Sequence, residues 1–195
     1  MSDMSSKIYG YFFIATTILL LFSNITNAQP KKGEFIQGSI GLGMSAPYEE
    51  YNIMGTGFYA QAEYVYAFKK WLGVRPYAGF ISTTPSESGT DTNLSEYRVT
   101  SKAFLLGGKA RICAPIPWVA PYFELGIGLS AGSFETYTPT DNIKENGVLM
   151  HIPVTLGLAL GKDNGVEVAF TYYYHPTINQ FSGAAAIGLS FPINR

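Results

Sequence analysis

Residues His151–His175, HIPVTLGLALGKDNGVEVAFTYYYH, indicate the fold class because apolar residues alternate on both sides of the centre of this segment. Before the GKDNG segment the apolar row consists of Ile152, Val154, Leu156, Leu158 and Leu160. After that segment the row consists of Val166, Val168, Phe170, Tyr172 and Tyr174. Side chains of a β-strand point alternately to opposite faces, so the pattern predicts two strands joined by a tight turn, with Asn164-Gly165 suited to positive φ. The apolar row must face either a packed protein core or lipid.

The composition narrows this choice. The chain has 195 residues, of which 14% are charged and 15% aromatic, with 21 glycines and a formal net charge of −1. About a quarter of the residues of a soluble domain are charged, so this chain is poor in the groups that cover a water-exposed surface. No basic patch is available to neutralise phosphates, and we therefore expect no nucleic-acid partner.

The N-terminal segment 1–28 is predicted to be a Sec-type signal peptide. Its apolar run, Ile8–Phe22, is too short for a comfortable transmembrane helix, and Thr26 and Ala28 stand at the −3 and −1 positions of a cleavage site. The alternative is an uncleaved anchor. Cys113 is the only cysteine, so the exported chain has neither an internal disulfide nor a lipid-modified N-terminal cysteine.

After the signal peptide, residues 29–195 form one domain without a convincing helix. Eight alternating segments follow one another instead: Glu34–Met44, Gly57–Phe68, Val74–Thr83, Arg98–Ile112, Pro121–Phe134, Val148–Leu160, Val166–His175 and Gly183–Phe191. A tilted strand that crosses a membrane needs about 9 to 11 residues, whereas strands of soluble proteins usually have about 5 or 6. The segment lengths therefore favour lipid.

Connections between the segments alternate in length. Segments 45–56, 84–97 and 135–147 are long, whereas 69–73, 113–120 and 161–165 are shorter, and 176–182 is intermediate. Bacterial outer-membrane barrels have short periplasmic turns and longer external loops. The pattern predicts an all-β, eight-stranded antiparallel up-and-down transmembrane β-barrel, in which the last strand pairs with the first because hydrocarbon tolerates no open edge.

In such a barrel the apolar rows face lipid and the opposite rows face the lumen. Six charged residues lie on the inner rows, near the short turns: Glu63, Arg75, Lys109, Arg111, Glu124 and Glu167. An eight-stranded barrel is just wide enough to be filled by side chains, and buried charges must be paired. We predict an ion-pair network that fills the periplasmic half of the lumen; the alternative is a gate or a narrow polar path. Aromatic residues predicted at the membrane–water boundary are Trp71, Trp118, Tyr64, Tyr66, Tyr172 and Tyr174.

Together, the signal peptide, the eight segments, the alternating connections and the Gly-rich final segment GAAAIGLSF resemble the small outer-membrane β-barrel proteins of Gram-negative bacteria. These are proteins of the OmpA transmembrane-domain and OmpX types and of the outer membrane protein β-barrel domain family. The resemblance implies a monomer in the outer membrane, with membrane lipid, lipopolysaccharide and the barrel assembly machinery as partners. Such barrels often end in an aromatic residue, whereas here Phe191 is followed by Pro-Ile-Asn-Arg.

The predicted external loops are acidic and offer a surface for an external ligand. Against Lys144 they carry Glu49, Glu50, Glu87, Asp91, Glu96, Glu135, Asp141 and Glu145. Solvated loop charge is the simple explanation. The alternative is a set of carboxylates that bridge to lipopolysaccharide phosphates through divalent cations.

No catalytic, metal or cofactor motif is present: neither a P-loop, nor zinc-ligand spacing, nor a dinucleotide fingerprint. His175-Pro176-Thr177 is similar in part to the His-x-Ser arrangement of outer-membrane lipid A deacylases, but Thr177 replaces serine and no acidic residue follows Glu167. His151 is predicted to be a hydrogen-bonded residue near the barrel rim. We therefore expect a non-enzymatic barrel with a structural or surface-interaction role. The alternatives are a narrow channel or carrier for small or apolar solutes, a lipid-modifying enzyme, and a soluble lipocalin-like barrel.

Overall fold

A computed structural model describes residues 32–48, 53–85, 97–139, 142–178 and 180–193. These residues form eight antiparallel strands closed into a barrel. The strands are β1 (Gly33–Pro47), β2 (Gly55–Ala67), β3 (Leu72–Pro85), β4 (Arg98–Cys113), β5 (Val119–Tyr137), β6 (Asn142–Leu160), β7 (Val166–Tyr174) and β8 (Gln180–Pro192). Within these ranges no α-helix suited to crossing a membrane is present. The predicted signal peptide lies outside the described residues.

Every strand pairs with its neighbours in sequence, and β8 returns to pair with β1. That closing ladder runs from Phe35 opposite Pro192 to Pro47 opposite Gln180. The predicted eight-stranded up-and-down barrel and its closure are thus confirmed. Closure matters because the backbone polar groups of an open edge would have no partner in hydrocarbon.

Three short connections, residues 68–71, 114–118 and 161–165, lie at one end of the barrel. By the topology rule for outer-membrane barrels we call this the periplasmic end and the opposite one the external end. Asn164 adopts a φ of 51°, as expected for a tight turn, and its Nδ2 donates a hydrogen bond to the carbonyl of Ala159 at 3.0 Å.

At the external end the prediction of a long 135–147 loop was wrong. Backbone pairing between β5 and β6 continues without a break from Gly132 opposite Gly147 to Tyr137 opposite Asn142. The polar residues 142–147 of β6 are compatible with strand because their side chains are exposed or half-buried on both faces, a situation in which apolar alternation is no longer required. β7 reaches only Tyr174, opposite Ile152, so β6 extends well beyond it. We call the projecting parts of β4, β5 and β6 the external sheet.

Side-chain orientation is inside-out relative to a soluble barrel. Leu156 and Ile127 are 63% and 62% exposed on the outer surface, whereas Arg111 and Glu124 are 8% and 0% exposed. The prediction that apolar rows face away from the barrel axis is therefore confirmed. A continuous apolar belt of this kind is stable only when lipid covers it.

Aromatic side chains lie on the outer surface near both ends of the belt. Near the periplasmic end these are Tyr64, Tyr66, Trp71 and Trp118, all exposed. Near the external end Tyr174 is exposed and Tyr172 half-buried, and the hydroxyls of Tyr172 and Tyr48 are 2.7 Å apart. Aromatic rings at two levels are the arrangement expected of girdles at the two membrane–water boundaries.

Candidate functional site

The six inner charges that the sequence singles out lie together in the periplasmic half of the lumen. They come from β2, β3, β4, β5 and β7, and we call Glu63, Arg75, Lys109, Arg111, Glu124 and Glu167 the ion-pair network. None of the six side chains is more than 9% exposed. Three carboxylates face three cations, so the network is neutral as a whole, which is the condition for burying charge in a narrow lumen.

Glu124 and Glu167 share Arg111 as a partner. Arg111 Nε lies 2.6 Å from Glu124 Oε1, and Lys109 Nζ lies 2.8 Å from Glu124 Oε2. Glu167 accepts hydrogen bonds from both terminal nitrogens of Arg111, at 2.7 and 2.6 Å, and from Arg75 Nη2 at 3.0 Å. Bidentate guanidinium–carboxylate pairs fix both partners in orientation.

Glu63 anchors the other side of the network. It accepts from Lys109 Nζ at 2.6 Å and from Arg75 Nη1 at 2.9 Å. Lys109 therefore bridges Glu63 and Glu124, and Arg75 contacts three carboxylates. Such shared contacts join strands on opposite sides of the barrel through its interior.

Neutral side chains complete these contacts, and our sequence analysis missed two of them. Gln37 on β1 accepts from Arg75 and donates to Glu167 at 3.1 Å. The Tyr122 hydroxyl donates to Glu167 at 2.8 Å, and the Arg111 guanidinium lies over the Tyr122 ring. Both residues occupy inward positions of their strands, and Tyr122 stands two residues before Glu124. The period of two would have placed them in the lumen, but their polar partners depend on the register between strands.

Above the network lies a neutral layer centred on Ser130, His151 and His175, which we call the histidine layer. Ser130 Oγ is 2.7 Å from His151 Nδ1 and 2.9 Å from His175 Nε2. The Tyr77 hydroxyl is hydrogen-bonded to His151 Nε2. His151 is hydrogen-bonded, as predicted, and lies one residue beyond the last β6–β7 pair, Ile152 opposite Tyr174.

One set of protonation states satisfies every contact in this layer. His175 Nδ1 donates to the Tyr173 carbonyl at 3.1 Å, which leaves Nε2 to accept from the Ser130 hydroxyl. Ser130 can then accept from His151 Nδ1, and His151 Nε2 accepts from Tyr77. Both rings are neutral in this arrangement. Burial lowers the pKa of His175, which follows the end of β7, to about 4.

The external end of the lumen is filled by small polar groups and apolar side chains. Gln180 accepts from Thr136 at 2.7 Å and donates to Ser101 at 2.7 Å, while Ser45 and Thr83 hydroxyls are 2.9 Å apart. Ile178 is also buried there. Three successive layers therefore occupy the lumen, from paired charge to neutral hydrogen bonds.

His175 and Thr177 do not form the pair that their spacing suggested. Thr177 is exposed, whereas His175 is buried and its Nε2 contacts Ser130 on another strand. Ser130 is itself fully buried. In the described ranges, no cluster of three or more His, Cys, Asp or Glu side chains could hold a metal ion.

Most of the acidic residues predicted in external loops lie outside the described residues: Glu49, Glu50, Glu87, Asp91, Glu96 and Asp141. The two that are described belong to the external sheet. Arg98 Nη2 lies 2.7 Å from Glu135 Oε1, and Glu135 is directly opposite Lys144 in the β5–β6 ladder. Positive and negative side chains thus alternate across β4, β5 and β6.

Cavities lie within the described part of the lumen. One of about 600 Å³ opens at the periplasmic end below the network. A second one, of about 20 Å³, lies among Glu63, Lys109 and Glu124. A cavity of the second size holds about one water molecule.

The chain matches no protein-family model and no curated protein. Among solved structures it is similar to Neisserial surface protein A, with a TM-score of 0.58 and 14% identity over 83% of this chain and 98% of that chain. It is also similar to the N-terminal β-barrel domain of Pseudomonas aeruginosa OprF, with a TM-score of 0.49 and 9% identity over 82% of this chain and 98% of that chain. For Ail, the attachment invasion locus protein of Yersinia pestis, the TM-score is 0.46 and the identity 18% over 83% of this chain and 100% of that chain. The fold is that of an outer-membrane β-barrel, and the exposed apolar belt makes the chain an integral membrane protein.

Proposed function

We propose that this protein is a non-enzymatic, non-conducting outer-membrane barrel that acts through its external surface. The observation that supports a non-conducting barrel is the ion-pair network. It joins strands across the lumen with side chains that are almost fully buried. An ion that passed through would have to displace paired charges. Breaking one buried pair costs about 3–5 kcal/mol, and the network contains several that share partners.

Two further layers also fill the lumen: the histidine layer, and above it the contacts around Gln180. His151 and Ser130 have no exposed surface, and Ile178 is buried at the external end. The same burial argues against catalysis at Ser130, because neither a lipid nor water reaches its hydroxyl. The hydrogen bonds of the two histidines go to Tyr77, Ser130 and the Tyr173 carbonyl, so neither ring has the acidic orienting partner of a catalytic triad.

Conductance in planar lipid bilayers tests the closed lumen. We expect the purified, refolded protein to give no current steps above the lipid background between pH 6 and 8. A variant with Glu63, Lys109 and Glu124 changed to alanine enlarges the 20 Å³ cavity but leaves the histidine layer and the contacts around Gln180 in place, so it should also give no current steps. Stable single-channel currents from the unaltered protein would overturn the proposal and favour a narrow channel.

The external sheet supports the surface role. β6 pairs with β7 only from Ile152 onward, so its edge from Asn142 to His151 has no β7 partner. Unpaired strand edges bind extended polypeptide segments through backbone hydrogen bonds. The charges alternate from Arg98 to Glu135 to Lys144, which favours an acidic residue opposite Lys144 in an added strand.

Selection from a random ten-residue peptide library tests this surface role in nanodiscs. Selected peptides should carry an acidic residue at one fixed position, and Lys144→Glu should change that preference to a basic residue. Lys102→Glu on β4, away from the β6 edge, is the matched control and should leave the preference unchanged. The proposal would be contradicted if the charge preferred in the selected peptides did not change when the charge of residue 144 is reversed.

A further inference from the structure

The 600 Å³ cavity at the periplasmic end forms a cup with a distinct chemistry. Its wall is apolar, with Phe35, Val65 and Leu72 among the lining residues, and its floor is formed by Arg75 and Arg111. Val65 lines this cavity and is 5% exposed. We call this cavity the periplasmic cup. Its volume is in the range of cavities that enclose small organic ligands.

Lysines give the rim of the periplasmic cup a positive charge. Lys32, Lys69 and Lys70 line it together with a single acidic rim residue, Asp163. Asp163 and Lys70 each have an interaction partner. Lys32 and Lys69 are exposed. Lys69 Nζ lies 5.6 Å from the centre of the Trp71 ring. The floor adds little net charge because its guanidinium groups belong to the neutral ion-pair network. The rim therefore favours an anion.

Asn164 supplies an independent sign of a ligand. It lines the periplasmic cup and is only 7% exposed. Its Nδ2 donates to the Ala159 carbonyl at 3.0 Å, which fixes the orientation of the amide. Its Oδ1 is buried and accepts no hydrogen bond from any described residue. A buried acceptor left without a donor is destabilising, so this site favours a ligand that brings an N–H or O–H group.

We propose that the periplasmic cup binds the C-terminal end of a short peptide. The terminal carboxylate pairs with Lys32 and Lys69, an amide N–H donates to Asn164 Oδ1, and small apolar side chains contact Val65 and Leu72. An inorganic anion would satisfy the lysines alone, since it fills little of the volume and brings no apolar surface. The site lies at the end of the barrel opposite the external sheet, so it is independent of the proposed surface role.

Amide chemical-shift titration by NMR of the full barrel in uncharged detergent tests the proposal. The probe is N-acetyl-Ala-Ala-Ala with a free carboxylate, and its C-terminal amide is the uncharged counterpart. We expect saturable shifts at Asn164 and Gly165 with the acid, and binding weaker by about tenfold with the amide. The double variant Lys32→Gln/Lys69→Gln should lose about tenfold in affinity for the acid. Lys162→Gln, in the same turn but not lining the cup, should bind as the unaltered protein does.

Asn164→Gly distinguishes binding of a peptide from binding of an inorganic anion. Glycine can adopt the positive φ of 51° found at this position but lacks the side-chain oxygen that would accept the peptide's N–H. This variant should weaken peptide binding several-fold and leave competition by inorganic phosphate unchanged. Heat-modifiable gel mobility verifies that each variant is folded before titration. Equal binding of acid and amide, equal affinity for phosphate and peptide, or no shifts at millimolar peptide would each overturn the proposal.

Discussion

The two halves of the lumen solve the same packing problem with different chemistry. In the periplasmic half the interior is filled by three carboxylates and three cations in mutual contact. In the external half it is filled by neutral groups, namely the histidine layer and the hydroxyl and amide contacts around Gln180. Both halves bury hydrogen-bonded polar atoms, but only the periplasmic half buries charged side chains.

This difference determines which change each half resists. A charged cluster is stable as a unit, and removal of one member leaves an opposite charge buried without a partner. A neutral cluster tolerates the loss of single contacts better, but the addition of a proton introduces a charge that has no counter-ion beside it. The periplasmic half should therefore be sensitive to substitution and the external half to acid.

The largest effect is expected from Arg111→Leu. It leaves Glu124 and Glu167 with fewer cations in a buried site, and loss of one partner of a buried pair costs about 3–5 kcal/mol. Arg98→Leu is the matched control, because it removes an arginine whose side chain is 52% exposed in its ion pair with Glu135, compared with 9% for Arg111. Unfolding by urea in lipid vesicles, followed by tryptophan fluorescence, measures both variants.

We expect a clear drop in the free energy of unfolding for Arg111→Leu and little change for Arg98→Leu. Equal losses in the two variants would mean that burial does not distinguish the network from a surface pair. An Arg111→Leu variant as stable as the unaltered protein would indicate that the lumen relaxes around the vacant position or admits water there.

The sequence was sufficient to predict the barrel and the inner charges because both depend on a period of two. Glu124 and Arg111 stand on inward rows that are recognisable in the printed sequence, and the structure places both in the network. Contacts between rows depend on register instead. Ser130 stands between two histidines only because β5 and β6 pair with Gly128 opposite His151, and nothing in the local sequence of β5 indicates this.

The extent of the external sheet was unpredictable for a different reason. Residues 142–147 of β6 are exposed or half-buried on both faces, so alternation disappears there although the backbone ladder continues. Residues 142–147 have no apolar rhythm, and they were assigned to a loop for that reason. Backbone pairing from Gly147 to Asn142 keeps them in β6. Apolar alternation does not reveal the periplasmic cup either, because its lining residues come from the two ends of the barrel chain and from several turns.

The boundary between the two halves can be tested by Gly128→Ala. A Cβ at residue 128 would meet the Tyr77 hydroxyl, His151 Nε2 and the backbone of Leu106, so the contact between Tyr77 and His151 must shift. Overpacking of this kind costs about 1–3 kcal/mol. Gly108→Ala is the control, because a Cβ there meets nothing within 4 Å. The same unfolding assay should separate the two variants, and equal stability would show that the middle of the lumen is loosely packed.

The smallest effect is expected from acid and concerns the histidine layer. Burial lowers the pKa of His175 to about 4, below the value of about 6.5 in an unfolded chain. The unfolded state therefore binds more protons than the folded state between these values, so His175 reduces stability as the pH falls through that window, by about 1 kcal/mol between pH 7.5 and 5.5. The structural reason is that a proton on Nε2 would face the oxygen of Ser130 and remove the acceptor of the Ser130 hydroxyl. In His175→Gln the loss of stability over the same pH range should be smaller, measured by urea unfolding at each pH. If both proteins showed the same pH dependence, groups other than His175 would be responsible for the acid sensitivity. The expectation that the external half of the lumen is the one sensitive to acid would then be wrong.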